Sequence, residues 1–325
     1  LVSGVLYLSV PGSPEVSGPG GNGTGEKPRG TGVSSLTPEE LRAPAKPALP
    51  PSSKTGRVVV LLTDAGISLD NMESIRMTVD EISVKKGGRG WIALVSARRE
   101  VDLIALYRSS SFETMADVYL EEGTYDHVRM KISGVTVVEK ESGGIAHAAK
   151  IPSGTLTFIG NLVVHNGKSS SMAIDVLAAR ALHKTGNGTY IFFPVMKVAM
   201  QSNVSVRTLG DGVHLTGGKS DFDVTVGMDE TGAMRPEFVF AAGTEFEFLG
   251  NVIRVIPHGE KQEGVAVSAE AAVDAALKSG YLDTAVSVQM SMRAGKTAWR
   301  VFGLKKFSPA TIYVDAMTGS VTGKE

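Results

Sequence analysis

Arg57-Val58-Val59-Val60-Leu61-Leu62-Thr63-Asp64-Ala65-Gly66 is the stretch at which this 325-residue chain starts to read as a folded protein. Five apolar residues in a row, three of them β-branched, predict a strand buried on both faces, and Thr63-Asp64-Ala65-Gly66 supplies the turn after it. Downstream, Ser74 to Val84 alternates through Ile75, Met77, Val79 and Ile82. Lys85-Lys86-Gly87-Gly88-Arg89-Gly90 is a hairpin tip from which Trp91-Ile92-Ala93-Leu94-Val95 returns. Val101 to Tyr107 fits either a strand or a helical turn, and Phe112 to Leu120 is predicted as a short helix stopped by Gly123. Tyr125 to Val138 alternates, with Tyr125, His127, Arg129 and Lys131 expected on one face and Val128, Met130 and Ile132 on the other. Gly154 to Leu162, Ser171 to Leu177 and Thr189 to Val198 continue the pattern, with turns at Asn166-Gly167 and Gly186-Asn187-Gly188. A second β stretch covers Val204 to Ile256. Short strands with few helical patterns between them predict a mainly β body, a sandwich or Greek-key barrel.

The last 60 residues change character. Ser268 is an N-cap for an alanine-rich helix from Ala269 to Leu277, with Val273, Ala276 and Leu277 on one face and Gly280 after it. Strands at Ala285 to Met292, Ala298 to Leu304 and Ala310 to Val314 complete a small α+β module. The other end of the chain differs from both. Pro11 to Lys54 holds nine of the 14 prolines and eight glycines, a tether of 44 residues, and it is preceded by Leu1-Val2-Ser3-Gly4-Val5-Leu6-Tyr7-Leu8-Ser9-Val10. The expected organisation is therefore an apolar strand at 1–10, a linker at 11–54, a β-sandwich at 55–200, a second β region at 201–264 and the α+β module at 265–325.

An apolar segment on a tether must be buried in a membrane, in its own body or in a neighbour's. Ten helical residues cover only ~15 Å of a ~30 Å hydrocarbon core, so a span is not expected from the segment as it stands. Folding back makes the long tether pointless, since loop closure costs entropy without return. Extended, ten residues reach ~33 Å, the length of a sheet edge. Leu1, Val2, Val5, Leu6, Tyr7, Leu8 and Val10 are thus the candidate donor strand for an identical subunit, in a head-to-tail contact that makes a filament unless it closes into a ring.

Composition excludes much else. The net charge is −1 with both signs mixed, which gives no reason to expect nucleic acid. The absence of cysteine excludes disulfides and thiolate chemistry. Asn22, Asn187 and Asn203 head Asn-x-Ser/Thr triplets, candidate glycosylation sites that favour an extracellular or cell-surface protein. Three Gly-Lys-Ser/Thr triplets lack the earlier glycine of a phosphate loop, where Leu162, Val213 and Met290 stand instead. The six histidines never fall at helical pair spacing, and there is no Gly-x-Ser-x-Gly elbow. No enzyme and no cofactor is expected. The weak metal candidates are Asp221 and Asp223, two apart on a strand and so on one face, where calcium would relieve their repulsion.

Two resemblances add to this. Residues 56 to about 200 resemble the domain of unknown function 4382, found in mostly secreted archaeal and bacterial proteins. Val60-Leu61-Leu62-Thr63-Asp64-Ala65, Glu122-Gly123-Thr124-Tyr125-Asp126-His127-Val128-Arg129, Ile151-Pro152-Ser153-Gly154 and Tyr190-Ile191-Phe192-Phe193-Pro194-Val195 carry the likeness. It implies a surface β-domain and no catalytic residue. Gly66 departs from the family, which usually has proline there. Residues 265 to 325 look like a PepSY-type module, on Ala271 to Leu277, Trp299-Arg300-Val301 and Val314-Asp315-Ala316-Met317-Thr318-Gly319-Ser320-Val321. That likeness implies protein–protein contact or inhibition. The expected function is a subunit of an extracellular filament assembled by donor strands, with an envelope-anchored monomer acting through the PepSY-like module as the alternative.

Overall fold

The computed structural model describes residues 54–66, 69–209, 212–260 and 265–325. The apolar run becomes β1 (Thr55–Thr63), in which Val58 to Leu62 are shut away from water on both faces. β2 (Met72–Lys85) and β3 (Trp91–Val95) form the expected hairpin, and β4 (Arg99–Asp102) returns to pair with β2. The ambiguous segment divides at Asp102, which ends β4 and caps α1 (Leu103–Ser109): its Oδ1 accepts the Ile104 and Ala105 amides at 3.0 and 3.3 Å.

Phe112 to Leu120 is not a helix. It forms β5 (Glu113–Glu121), antiparallel to β1 from Thr55↔Glu121 to Leu62↔Glu113. A bulge opposite Val60 and Leu61 leaves Met115 without a partner, so the neighbours Met115 and Ala116 both turn inward. Burial of Met115, Ala116 and Leu120 then imitates a helical spacing. A similar bulge corrects the face of Tyr125. In β6 (Gly123–Glu139), the register against the later strand slips between Tyr125 and His127, which puts Tyr125 in the core with Val128, Met130 and Ile132. His127, Arg129 and Lys131 keep the outer face.

A 3-10 turn, Lys140–Ser142, leads to β7 (Ala146–Lys150), β8 (Thr155–Val164) and β9 (Ser169–Val176). After α2 (Ala178–Ala181) come β10 (Leu182–Lys184), β11 (Tyr190–Phe192) and β12 (Val195–Leu209). The single strand expected over Thr189 to Val198 is therefore two, in different sheets, because Phe193-Pro194 carries the chain across. β13 (Gly212–Thr216), β14 (Lys219–Met228), β15 (Met234–Pro236), β16 (Glu245–Leu249) and β17 (Val252–Ile256) follow. The chain continues with α3 (Ala269–Lys278), β18 (Thr284–Arg293), β19 (Lys296–Lys305), β20 (Ser308–Asp315) and β21 (Val321–Lys324).

The fold is mainly β, with three mixed sheets. The first runs β15-β14-β12-β9-β1-β5 with β13 beside β12, and the second runs β10-β11-β7-β6-β2-β3 with β4 on β2 and β8 on β6. They enclose one core, in which Val58, Val60 and Leu62 meet Met77, Val128 and Val137. The third sheet, β16 to β21 in chain order, is covered on one face by α3 and adds Phe246, Ile253 and Val255 to the sandwich core. β12 runs across residue 200, β14 and β15 complete the first sheet, and β16 and β17 open the third.

The third sheet has its own core. Ser268 Oγ accepts the Ala271 amide at 3.2 Å and starts α3, whose Ala272, Val273 and Ala276 pack on Trp299, Val301, Ile312 and Val314. Trp299 is fully buried and its indole N–H donates to the Val267 carbonyl at 2.8 Å, fastening the chain before α3 to β19. Trp299→Ala should lose roughly 3–5 kcal/mol of stability through the cavity left behind, read by urea unfolding. A loss under about 1 kcal/mol would mean that α3 and the sheet do not share this core.

Candidate functional site

A concavity lies where the β14–β15 hairpin and the chain after it meet the face of the third sheet turned away from α3. It is an open cleft of about 420 Å³, walled by Phe238, Val239, Phe240 and Pro257, with Glu230 and Arg300 at its polar end.

Asp229 makes the hairpin. Its Oδ1 accepts the Thr231 and Ala233 amides at 2.9 and 3.1 Å, and its other oxygen pairs with Arg235. Gly232 takes the left-handed conformation (φ +82°) that closes this turn and packs it close against Pro152 and Ser153. The hairpin in turn delivers Glu230, largely buried, to an ion pair with Arg300 on β19. Arg300 stands on the opposite face of its strand from Trp299, so one strand serves both the helix-covered core and the cleft. The charges of the cleft are paired, Asp229 with Arg235 and Glu230 with Arg300, and beside them it offers an occupant an apolar wall that includes Phe238, Val239, Phe240 and Pro257.

That wall continues inward as a cluster of rings. Phe240 lies 4.7 Å from Phe193, 5.0 Å from Phe246 and 5.0 Å from Phe238, centroid to centroid, with edge-to-face tilts. His183 of β10 fits among them, 4.6 Å from Phe246 and 5.8 Å from Phe193. Burial pushes its imidazole down to about 4, opposed in part by a hydrogen bond to the Arg180 backbone, and Nε2 has no protein partner. A neutral imidazole enclosed by rings adds to their packing here. These rings hold the sandwich to the third sheet.

Elsewhere, Asp64 and Asp175 end the parallel strands β1 and β9. Burial raises both carboxyls, Asp64 to about 6 with help from the charge of Asp175. Each caps a turn: Asp175 Oδ1 accepts the Ala65 amide at 2.7 Å and Asp64 Oδ1 the Gly66 amide at 3.1 Å. Among the described residues no three His, Asp or Glu side chains gather as a metal site, and no helix is long and apolar enough to cross a membrane.

The donor-strand residues Leu1, Val2, Val5, Leu6, Tyr7, Leu8 and Val10 lie outside the described residues, as does Asn22. Asn187 is exposed in its turn, its Oδ1 accepting the Thr185 hydroxyl at 2.6 Å and the Thr189 amide at 3.2 Å. Asn203 is exposed at φ +57°, on a bulge of β12 against β9. Asp221 and Asp223 do not share a face. A bulge against β12 makes Asp221 the extra residue, so its side chain is 3% exposed beside Lys219 while that of Asp223 is 52% exposed beside Lys197. Two carboxylates so separated are not a cage for calcium, which takes about six to eight oxygens. Sequence reasoning missed the cleft altogether. The alternations Phe238-x-Phe240 and Phe246-x-Phe248 were its visible signal, but their partners Phe193 and His183 lie some way back along the chain.

Residues 55–194 match the family model described as a domain of unknown function, DUF4382. The match runs from β1 through β11 and stops just before β12, so most of the sandwich falls within it and the cleft and third sheet fall outside. No curated protein and no solved structure matches the chain.

The ring cluster makes stability depend on pH with a definite sign. His183 takes its proton near 6.5 when unfolded but only near 4 when folded. The unfolded state therefore binds that proton first, and stability falls as pH drops from 6.5 through 4, by about 3 kcal/mol for this group. Asp64 works the other way, because the folded state keeps its proton up to about 6 and stability is lost as pH rises from 3.8 to that value. The contribution of His183 is thus the difference between the protein and His183→Leu, measured by urea unfolding at pH 7 and pH 4. Equal losses in both would show that His183 is not the source.

Proposed function

We propose that this chain is a non-enzymatic subunit of an extracellular filament or surface fibre, in which Leu1–Val10 of one copy adds as a strand to an open sheet edge of the next. The observation that carries this reading is β5. It is a nine-residue strand at the end of the first sheet whose outer backbone edge has no partner strand among the described residues. At ~3.3 Å per residue that edge is ~30 Å long, the reach of the apolar segment. The side chains of Glu113, Asp117 and Glu121 are held in ion pairs by Arg99, Arg57 and Arg89. Such charges discourage indiscriminate pairing while leaving the backbone groups free for a strand delivered in register.

Among the described residues, the strands of the body build a shared core between the first two sheets, in keeping with an exchanged strand that is dispensable to the fold of its donor. Candidate glycans on Asn187 and Asn203 would sit on exposed positions, in keeping with a cell-surface protein. An envelope-anchored monomer acting through its PepSY-like module is favoured by one feature, the separate core beneath α3.

Deleting Leu1–Val10 should leave a body with unchanged β signal in circular dichroism and abolish filaments in electron microscopy. Filaments of the same repeat from the truncated protein would end the donor reading. Dispersed full-length monomers at high concentration would favour the anchored alternative. Of Leu6→Asp and Leu8→Asp, the one facing inward should act as the deletion does, by placing an unpaired carboxylate against an apolar surface. Because a strand must break its whole ladder to leave, filaments should survive salt and reductant and release subunits in hot detergent only near global unfolding. Release well below the loss of β signal would indicate a peripheral contact instead.

A further inference from the structure

The turn between β19 and β20 carries an aromatic side chain out into solvent. Lys305 pairs with Ser308, so Lys306 and Phe307 are the two central residues of a tight hairpin, at φ +48° and +66°. Two left-handed residues in such a turn call for Asn-Gly or a similar pair, and a bulky aromatic there is strained. The strain is held by one carboxylate: Asp283 accepts the Lys306 amide at 2.8 Å and the Lys305 ammonium at 2.6 Å. What this support presents is a phenyl ring that is 97% exposed. A strained backbone and an apolar ring in water both cost the free subunit stability, and burial of the ring elsewhere would offset both.

A membrane surface is a poor match for the tip. The charge of Lys305 is satisfied by Asp283, leaving one ring and one lysine, whereas anionic membranes are held by clusters of about four to eight basic residues. A matching hollow exists on the chain itself. The cleft of about 420 Å³ presents Phe238, Val239, Phe240 and Pro257, with Val239 36% exposed and the Glu230–Arg300 pair at its polar end. A phenyl ring entering it would meet the side chains of Phe238, Val239, Phe240 and Pro257. Tip and cleft are separate places: Arg300 and Lys305 are five residues apart on β19, ~17 Å along the strand.

We propose that Phe307 at the β19–β20 tip seats in the cleft between the β14–β15 hairpin and the third sheet of a second copy of this chain. Knob and hollow are different surfaces of one chain, so the contact propagates when it repeats head-to-tail from copy to copy, as a fibre requires, and closes when two copies seat in each other. The inference rests on the reading of the chain as a self-assembling subunit and adds to it a contact independent of Leu1–Val10.

The absence of cysteine makes the test clean. Full-length Ser308→Cys and full-length Val239→Cys are mixed under assembly conditions and oxidised, and the linked peptides are identified by mass spectrometry. The expected result is a mixed disulfide whose yield falls on the order of tenfold or more when Phe307→Ser is added to the Ser308→Cys chain, as for an aromatic anchor. A yield indifferent to Phe307→Ser overturns the inference. So does assembly without the disulfide, which leaves the donor-strand reading intact. Loss of binding to phosphatidylserine vesicles by Phe307→Ser, with assembly unchanged, would assign the tip to a membrane and overturn it too. Conversely, filaments that persist without Leu1–Val10 while the disulfide still forms would sink the donor-strand reading and keep this one. Failure of full-length chains to associate at all would remove both.

Discussion

Val58 to Leu62 cannot meet water on either side, and much of the body is arranged around that condition. A strand of this kind needs a partner on each edge and a layer on each face. β5 and β9 supply the edges, one antiparallel and one parallel. The second sheet covers the face formed by Val58, Val60 and Leu62. The parallel partner has a topological cost, because β1 and β9 cannot be joined by a hairpin. All of the second sheet except β10 and β11 is threaded between them in sequence, so the sandwich closes only when chain more than a hundred residues apart in sequence is brought together, as in Val58↔Ser170.

Long alternating strands were legible for that reason: β2 and β6 each have one buried face, and the period-two pattern records it directly. Legibility failed where a bulge changed the phase. Met115, Tyr125 and Asp221 are each the extra residue of a bulge or its neighbour, and for each the sequence period predicts the wrong element or face. A bulge depends on how the opposing strand is paired, which a single segment does not encode. The short strands β7 and β10 were invisible too, since three to five residues carry too little period to be read. In the last part of the chain, α3 and β18 to β20 are legible, because Ser268 and Gly280 punctuate the helix and the strands are neighbours in sequence, whereas nothing local joins β16 and β17 to the same sheet. The cleft needs Phe193, His183, Phe240 and Arg300 together, and no local pattern unites them.

The electrostatics of the molecule repeat one arrangement. Charged residues are matched in pairs across neighbouring elements: Asp117 with Arg57, Glu121 with Arg89, Glu113 with Arg99, and Glu230 with Arg300. The exposed pairs among them are worth little each, about 0–1 kcal/mol. Their effect is to leave no broad field of one sign, in keeping with a net charge of −1. Without such a field, neither steering toward an oppositely charged partner nor long-range repulsion between copies has a physical basis. On the proposed reading, recognition between copies would then rest on shape, apolar area and backbone pairing.

On the proposed reading, the two apolar features would divide the work of assembly by their kinetics. An inserted strand carries many backbone bonds that must break together, so it would exchange slowly and fix the polymer once formed. A single ring at a hairpin tip buries far less surface and would bind and leave quickly. Fast, weak contacts allow wrong orientations to be abandoned before the slow contact makes them permanent. The strain at Lys306 and Phe307 suits that role, since a tip already held in its bound shape by Asp283 loses little conformational freedom on docking. A flexible glycine tip would relieve the strain and forfeit that preorganisation.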